Sequence, residues 1–338
     1  MSNLRTLAVT SLLVTLPLMS VQADGSSIVE SKKLELDLQV NPEDMDSDNY
    51  DSQVRFNAMG EMVIKAPLDL SLNVRGRIEK SLEAYGDEDL DEDLFWETLE
   101  RLSVSGKLFV DIEVGKLNAG FGAQDGPGKS QRNYHRDSAA SQVSQELESV
   151  TGIKLSSIPE MHEEDFGIAA KIINNALAGV SITIYDGDSE EKMDLDSFTE
   201  MNSVAVRKDG EFMGANYQVS FVFGEKDGKD DQRLSASAEK CFDDTCLYGE
   251  YQYLDESEVS PYESTTTVGA YTVLRNEYVD TVAAEYENVA AKDGETAPGD
   301  KVGLIAKKQM GRWEFGASLH RDLDNDDNIF GLNGSIKW

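Results

Sequence analysis

What this sequence of 338 residues lacks most clearly is a long apolar run. A helix that crosses the hydrocarbon of a bilayer needs about 20 consecutive apolar residues. After residue 23 no run approaching that length occurs. The composition therefore excludes a helical membrane protein.

Basic residues are also scarce. Lysine and arginine together number 31, against 64 aspartates and glutamates, and the formal net charge is −33. A chain with this balance is repelled by nucleic acid and by anionic surfaces. We therefore expect no nucleic-acid partner, and nothing in the sequence indicates a cofactor.

The N-terminus carries the one compact apolar stretch. Residues 1–23 combine Arg5, the apolar stretch LLVTLPLM and the small-residue site VQA, which is the pattern of a secretory signal peptide. The stretch is too short for a membrane anchor. We expect cleavage after Ala23, leaving 24–338 as a single mature domain.

The mature sequence alternates apolar and polar residues with a period of two in many places. KLELDLQV, LDLSLNVRGRI, GANYQVSFVFG and the closing NIFGLNGSIKW all show this pattern, which predicts extended strands with one apolar face. A soluble sandwich shows the same alternation, so single strands leave both architectures open.

The connections favour a membrane barrel. Tight turns, for example at Asp209–Gly210 and between Cys241 and Cys246, alternate with long polar segments such as 121–165 and 225–231. We count sixteen strands, with fourteen or eighteen as alternatives. Short turns at one end and long loops at the other are typical of an all-β antiparallel outer-membrane β-barrel, with the short turns in the periplasm.

Two segments resemble a known family. IFGLNGSIKW at the C-terminus and LERLSVSGKLFVDIEVGKLNAGFG at 99–122 are similar to the closing strand and the central hairpin of the Gram-negative general porins. The resemblance implies a trimeric sixteen-stranded channel in the outer membrane whose third loop folds into the pore. It also implies that the assembly machinery reads Phe330 and Trp338, although Trp338 stands where the family usually has Phe.

The segment 121–165 is the centre of this interpretation. It contains Val143, Leu147 and Val150 at helical spacing, and a connection this long is usually functional or disordered. The resemblance implies that it narrows the pore. A loop lying outside, over the mouth or at a subunit contact, is the alternative.

The family's constriction sets loop acids against a wall of arginines. By strand parity the candidate pore-lining residues are Arg55, Arg75, Arg77, Arg101, Asp111 and Glu113, with Asp125 in the loop. A solvated inward face with no special field is the alternative for the arginines. The family's PEFGGD loop sequence is absent, so individual loop residues do not carry over.

The expected function is passive diffusion of small hydrophilic solutes and ions. Predicted inward acids outnumber inward bases, which predicts a modest cation preference that weakens with salt. Expected partners are the homotrimer, lipopolysaccharide and other outer-membrane lipids, the barrel assembly machinery, and small solutes and cations. A sugar- or anion-specific channel is the alternative, although inward aromatics and lysines are few.

Cysteine and histidine are too few for most site chemistries. Cys241 and Cys246 flank FDDT at a predicted periplasmic turn, so a disulfide is expected in that oxidising compartment, with two free thiols as the alternative. No metal site is expected. DLDNDDN at 322–328 lacks the glycine and the closing glutamate of a calcium loop. No GxSxG elbow accompanies the three histidines, so an outer-membrane lipase is disfavoured.

Overall fold

The structure is a computed structural model of the full chain. It describes residues 22–23, 26–27, 29–40, 54–66, 70–81, 99–107, 110–122, 140, 143–144, 147, 149–156, 174–187, 198, 200–226, 228–254, 256–274, 276–295, 299–324 and 328–337. At most positions before residue 101 it describes the backbone alone.

The described chain is almost entirely strand. The strands are β1 (Gln22–Ala23), β2 (Ser26–Ser27), β3 (Val29–Val40), β4 (Val54–Ala66), β5 (Leu70–Ser81), β6 (Leu99–Lys107), β7 (Asp111–Leu117), β8 (Val150–Ser156), β9 (Val180–Asp186), β10 (Ser203–Phe212), β11 (Ala215–Lys226), β12 (Lys229–Phe242), β13 (Thr245–Tyr253), β14 (Tyr262–Val273), β15 (Thr281–Ala291), β16 (Lys301–Met310), β17 (Trp313–Asp322) and β18 (Asn328–Lys337). A helical turn lies at 174–177, and the described residues 140 and 143–144 are also helical. No helix among the described residues is both long enough and apolar enough to span a membrane.

Sixteen strands follow one another in the hydrogen-bonded order of a closed barrel. The order runs from β10 to β18, continues through β3 to β9 and returns to β10, while β1 and β2 form a separate pair. The described pairings are antiparallel, including the one that joins β18 to β3. The predicted sixteen-stranded antiparallel β-barrel is confirmed.

By its internal contacts the chain divides into two compact units. The first comprises 1–102, 271–286 and 299–338, and the second comprises 103–270 and 287–298.

In the first unit the C-terminal strand lies between β17 and β3. Leu332 pairs with Ala317 on one side and with Leu38 on the other. Phe330 and Leu332 are 46% and 57% exposed, so the apolar positions of the closing sequence form an uncovered face, as its period of two predicts.

In the second unit β11, β12 and β13 show two contrasting faces. The outer face carries exposed apolar side chains, among them Phe221, Phe223, Leu247 and Tyr251. The inner face carries buried polar side chains, namely Gln218, Ser220, Arg233, Ser235, Ser237, Glu250 and Gln252. The apolar side is thus bare and the polar side covered, the reverse of a water-soluble sheet.

Two predicted connections differ from the structure, one in its position and the other in its length. Asp209 and Gly210 lie inside β10, and the turn follows at Met213–Gly214, where both residues have positive φ (53° and 73°). The alternation of β10 continues to Phe212, and Gly210 leaves room for the ring of Tyr217 across the ladder. The predicted long loop 225–231 is instead a tight hairpin in which Lys226 pairs with Lys229.

The predicted loop 121–165 is too long, because it includes a strand. β8 occupies Val150–Ser156 and pairs with both β7 and β9. Val150 therefore begins a strand instead of continuing the helical spacing of Val143 and Leu147. The third loop runs from residue 118 to residue 149.

Candidate functional site

The third loop supplies much of the buried core of the second unit. Ala119, Phe121, Val143 and Leu147 of the loop are each at most 3% exposed. They pack in one cluster with residues of the surrounding strands: Leu117, Val150, Tyr185, Ala205, Val222 and Leu254. This packing buries the loop's apolar side chains against the strands, which stabilises the docked position.

The loop turns inward directly after β7. The amide of Gly120, whose φ is +86°, donates to Asn118 Oδ1 at 2.6 Å, and Thr183 Oγ1 of β9 donates to the carbonyl of Ala119 at 3.3 Å. Ala119 N also donates to Leu147 O at 2.9 Å. The outgoing and returning segments of the loop are therefore tied to each other and to the wall.

Gly122 is the next point of attachment. Gln218 Nε2 on β11 donates to its carbonyl at 2.6 Å. Its φ is +72°, and a Cβ built there would lie 2.1 Å from Ser144 Oγ and 3.1 Å from Gln252 Nε2. Only glycine fits this position, because both the backbone conformation and the space exclude a side chain.

The returning segment is held by three strands. Gln252 Nε2 of β13 donates to Ala140 O and Ser144 Oγ, both at 3.2 Å. Arg233 Nη1 of β12 donates to Val143 O at 3.3 Å, and the amide of Ala140 donates to Glu287 Oε1 of β15 at 3.0 Å. All these wall residues are buried.

These contacts decide where the loop lies. Gln218, Arg233 and Gln252 belong to the inner face, whereas the exposed apolar residues alternate with them on the outer face. The loop therefore folds against the inner wall, and the prediction of an inward third loop is confirmed.

Arg233 is a buried inner-face residue, in contact with the third loop, that the sequence analysis does not single out. It is 2% exposed, its Nε donates to Asp231 Oδ1 at 2.7 Å, and Ser257 Oγ donates to the same oxygen at 2.6 Å. One buried ion pair thus links the third loop, β12 and the 254–261 connection. Its inward position follows from the alternation in DQRLSAS, in the same way as for the arginines of the first strands.

The predicted wall arginines all lie in the first unit. Arg75 on β5 pairs in register with Glu61, and Arg77 pairs with Met59. Arg55 on β4 pairs with Gln39 and Ser81, and Arg101 lies on β6 with intermediate exposure. The register brings Arg55, Arg75 and Arg77 onto two neighbouring strands.

The predicted acidic residues lie in the second unit or outside the described residues. Asp111 and Glu113 are on β7, where they pair in register with Ser156 and Lys154. Ser103 Oγ donates to Glu113 Oε1, and Lys154 Nζ donates to Asn118 O at 3.3 Å. Asp125 lies outside the described residues, as does the side chain of Trp338.

Cys241 and Cys246 form a disulfide. They are register partners at the end of the β12–β13 hairpin, next to the pair Phe242–Thr245. Glu239 Oε1 lies 3.7 Å from Cys241 Sγ. Metal ions bind thiolates, so this closeness makes no metal site while the disulfide stands.

Comparison with known proteins identifies the architecture. No family model and no curated protein matches the sequence. Among solved structures, a triple mutant of the Rhodopseudomonas blastica porin is 10% identical, with a TM-score of 0.57 over 91% of this chain and 99% of that chain. Salmonella typhi OmpF, solved in complex with daunomycin, is 11% identical, with a TM-score of 0.59 over 95% and 100%.

The fold is that of a porin. The match covers nearly the whole length of both porin chains, so it includes the strands on both sides of the third loop. At this level of identity the likeness carries the fold alone.

Proposed function

We propose that the chain is an outer-membrane porin through which small hydrophilic solutes and ions diffuse passively. The observation that carries this proposal is a long loop fixed by buried hydrogen bonds to the polar inner face of porin strands whose outer face is apolar and exposed. An apolar exterior suits lipid, and a polar interior suits water.

The finer parts of the proposal rest on the sequence. Residues 1–23 are removed on export, and 24–338 assemble as a homotrimer in the outer membrane of a Gram-negative bacterium. Phe330 and Trp338 are read by the assembly machinery, and the loops contact lipopolysaccharide. Arg55, Arg75, Arg77, Arg101, Asp111, Glu113 and Asp125 line the pore, and the channel favours cations. Catalysis has no part in this function.

Single-channel recording tests the proposal. Protein purified in detergent and added to a planar bilayer should give discrete conductance steps, and a trimer should close in three equal sublevels. Heat-denatured protein at the same detergent concentration is the control. If the protein gives no more conductance steps than the heat-denatured control, the channel proposal is refuted. If each channel closes in a single step and never in three sublevels, the trimer proposal is refuted.

Liposome swelling, together with conductance measured in the presence of added solutes, separates a general porin from a solute-specific channel. In a general porin, liposome swelling rates should fall smoothly with solute size among sugars and amino acids. A channel tuned to one sugar or anion binds its solute, so its conductance should saturate and be blocked by that solute at low concentration.

A further inference from the structure

Two buried oxygens on the inner face have no hydrogen-bond partner in the structure. They are Oε1 of Gln218 and Oγ of Ser237, whose side chains are 1% and 5% exposed. Buried polar atoms are nearly always satisfied by protein, by water or by an ion. A pair of such atoms on neighbouring strands therefore indicates a bound species between them.

The two residues belong to one row of side chains that crosses three strands. Gln218 of β11 is the register partner of Ser237 of β12, and Ser237 is the partner of Glu250 of β13. Directly opposed residues of an antiparallel sheet have Cβ atoms about 4.5–5.5 Å apart. Glu250 is also buried, at 5% exposure, so the row brings an amide oxygen, a hydroxyl and a carboxylate together out of bulk water.

The orientation of Gln218 is fixed by its other arm. Nε2 donates to Gly122 O at 2.6 Å and to Ser220 Oγ at 3.4 Å. Exchanging the two ends of the amide would place Oε1 against the carbonyl of Gly122, two acceptors in contact. Oε1 therefore points away from the loop and from Ser220.

One of the two neighbouring rows consists of the neutral side chains of Ser220, Ser235 and Gln252. Ser235 Oγ and Gln252 Nε2 donate to Glu250 Oε1 at 3.1 and 3.0 Å. Gln252 Nε2 also contacts Ser144 and Ala140 of the loop. The third loop thus lies directly over this row and helps to keep water out.

We propose that Gln218, Ser237 and Glu250 bind a sodium ion beneath the third loop. Amide, hydroxyl and carboxylate oxygens are ligands of small hard cations, and a single carboxylate matches a single positive charge. A cation on Oε1 polarises the amide of Gln218 and strengthens the donation from Nε2 to Gly122 O. Sodium binding therefore stabilises the docked loop.

Thermal unfolding tests the site with full-length protein in detergent. Samples are equilibrated in choline chloride and titrated with NaCl, KCl or more choline chloride at equal ionic strength. The Tm should rise with sodium concentration, less with potassium and not with choline, because an ion that binds only the folded state stabilises it by mass action. Isothermal titration with NaCl should show one site per chain.

Ser237→Ala removes one proposed ligand and leaves the hydrogen bond to Gly122 intact. We expect at least tenfold weaker sodium binding and loss of the sodium-specific rise in Tm. Ser203→Ala is the matched control. It removes a buried serine hydroxyl from β10, whose Oγ donates to Asn202 Oδ1 and Glu225 O instead of contacting Gln218, and it should keep the sodium response.

Three outcomes overturn the inference. Equal Tm values in the three chlorides would mean that a water bridges the oxygens. An unchanged sodium response in Ser237→Ala would place the ion elsewhere, and a larger effect of CaCl₂ than of NaCl would contradict the charge argument. None of these readouts depends on conductance, so the sodium site and the channel are tested separately.

Discussion

At the scale of single residues, Gly122 shows how tightly the third loop is fitted. Replacing it with alanine forces an L residue to φ +72° and places Cβ 2.1 Å from Ser144 Oγ. We expect Gly122→Ala to lower the stability of the protein by about 1–3 kcal/mol from the backbone alone, and by more from the clash. The docked loop should loosen, so open-channel noise should increase.

Gly214→Ala is the matched control for this variant. Gly214 has nearly the same φ, +73°, but a Cβ there would meet nothing within 4 Å. The two variants share the backbone cost and differ in the clash, so the difference in Tm measures the fit of the loop. Equal Tm values and equal noise would show that the loop is not fixed at Gly122.

Asp280, in the β14–β15 connection, predicts a dependence on acid pH. Its carboxylate accepts from the amide of Gln309 at 2.7 Å and from Lys308 Nζ at 3.0 Å. These hydrogen bonds, the backbone one first, hold the pKa of Asp280 below its ordinary value. Because its pKa is lower in the folded than in the unfolded protein, Asp280 contributes to the free energy of unfolding. This contribution is fully present at pH values above the ordinary pKa of about 3.9, and it is lost as the pH falls through the folded pKa.

Asp280→Asn should therefore lower the Tm at neutral pH. It should also make the Tm at neutral pH differ less from the Tm at strongly acid pH. The control is Asp293→Asn, which removes one carboxylate from another exposed turn. Thermal scans from pH 2 to pH 7 measure both. If the two variants follow the same pH profile, the hydrogen bonds of Asp280 add no stability.

Residue positions on strands were largely predictable, and their contacts were not. Parity alone places Phe330 and Leu332 on an exposed apolar face, and it would have placed Arg233 inside. What Arg233 touches depends on Val143, 90 residues earlier in the chain. No local pattern encodes such a pairing.

At the scale of elements, the ion pair between Arg233 and Asp231 joins β12 to two connections. The side chains are 0% and 4% exposed. Removing one member of a buried pair leaves a buried charge and typically costs about 3–5 kcal/mol, whereas replacing both is often close to neutral. We expect Arg233→Met to destabilise the protein more than the double variant Arg233→Met with Asp231→Leu.

Denaturant unfolding of the two variants and the wild type in detergent measures this difference. The double variant also loses the bond from Ser257, so Ser257→Ala is included to account for that loss. An equal or larger loss of stability in the double variant would show that the pair contributes net attraction beyond its own desolvation.

The disulfide should matter mainly for the end of the β12–β13 hairpin. Closing so short a loop stabilises by at most about 2 kcal/mol in the chain-entropy view. Replacing Cys241 and Cys246 with serine should therefore speed amide hydrogen exchange at Phe242 and Thr245 and leave the Tm nearly unchanged. A reducing agent should cause the same faster exchange in the wild type and change nothing in the double variant. A large fall in the Tm of the double variant would contradict this local role.

The third loop also shows where element prediction fails. Val143, Leu147 and Val150 fit one helical stripe in the sequence, but Val150 begins β8. A short apolar pattern fits both periods, and only pairing with β7 and β9 decides between them. Strand pairing also explains why the predicted turn at Asp209–Gly210 is wrong and the turn lies at Met213–Gly214. Asp-Gly is a strong local turn signal, but the ladder with β11 extends past it.

At the scale of the whole molecule, strand number and order follow from the sequence because they repeat a simple pattern sixteen times. Alternation sets the faces, and an even number of antiparallel strands allows closure. The solute that passes is not encoded by any repeat. In the proposed channel it would depend on a few charged side chains at individual positions, which no repeated pattern reveals.

The acid excess of the chain gives the final prediction. We expect the zero-current potential across a bilayer under a KCl gradient to indicate a preference for potassium, because predicted inward acids outnumber bases. The preference should weaken as the mean salt concentration rises from about 0.1 M to 1 M, since the screening length falls from about 10 Å to about 3 Å.

Replacing Asp111 with Asn and Glu113 with Gln should reduce the preference for potassium without changing the size of the conductance step by more than about twofold. A preference for chloride at low salt, or one that does not change with salt, would show that side-chain charges on the wall do not set the selectivity.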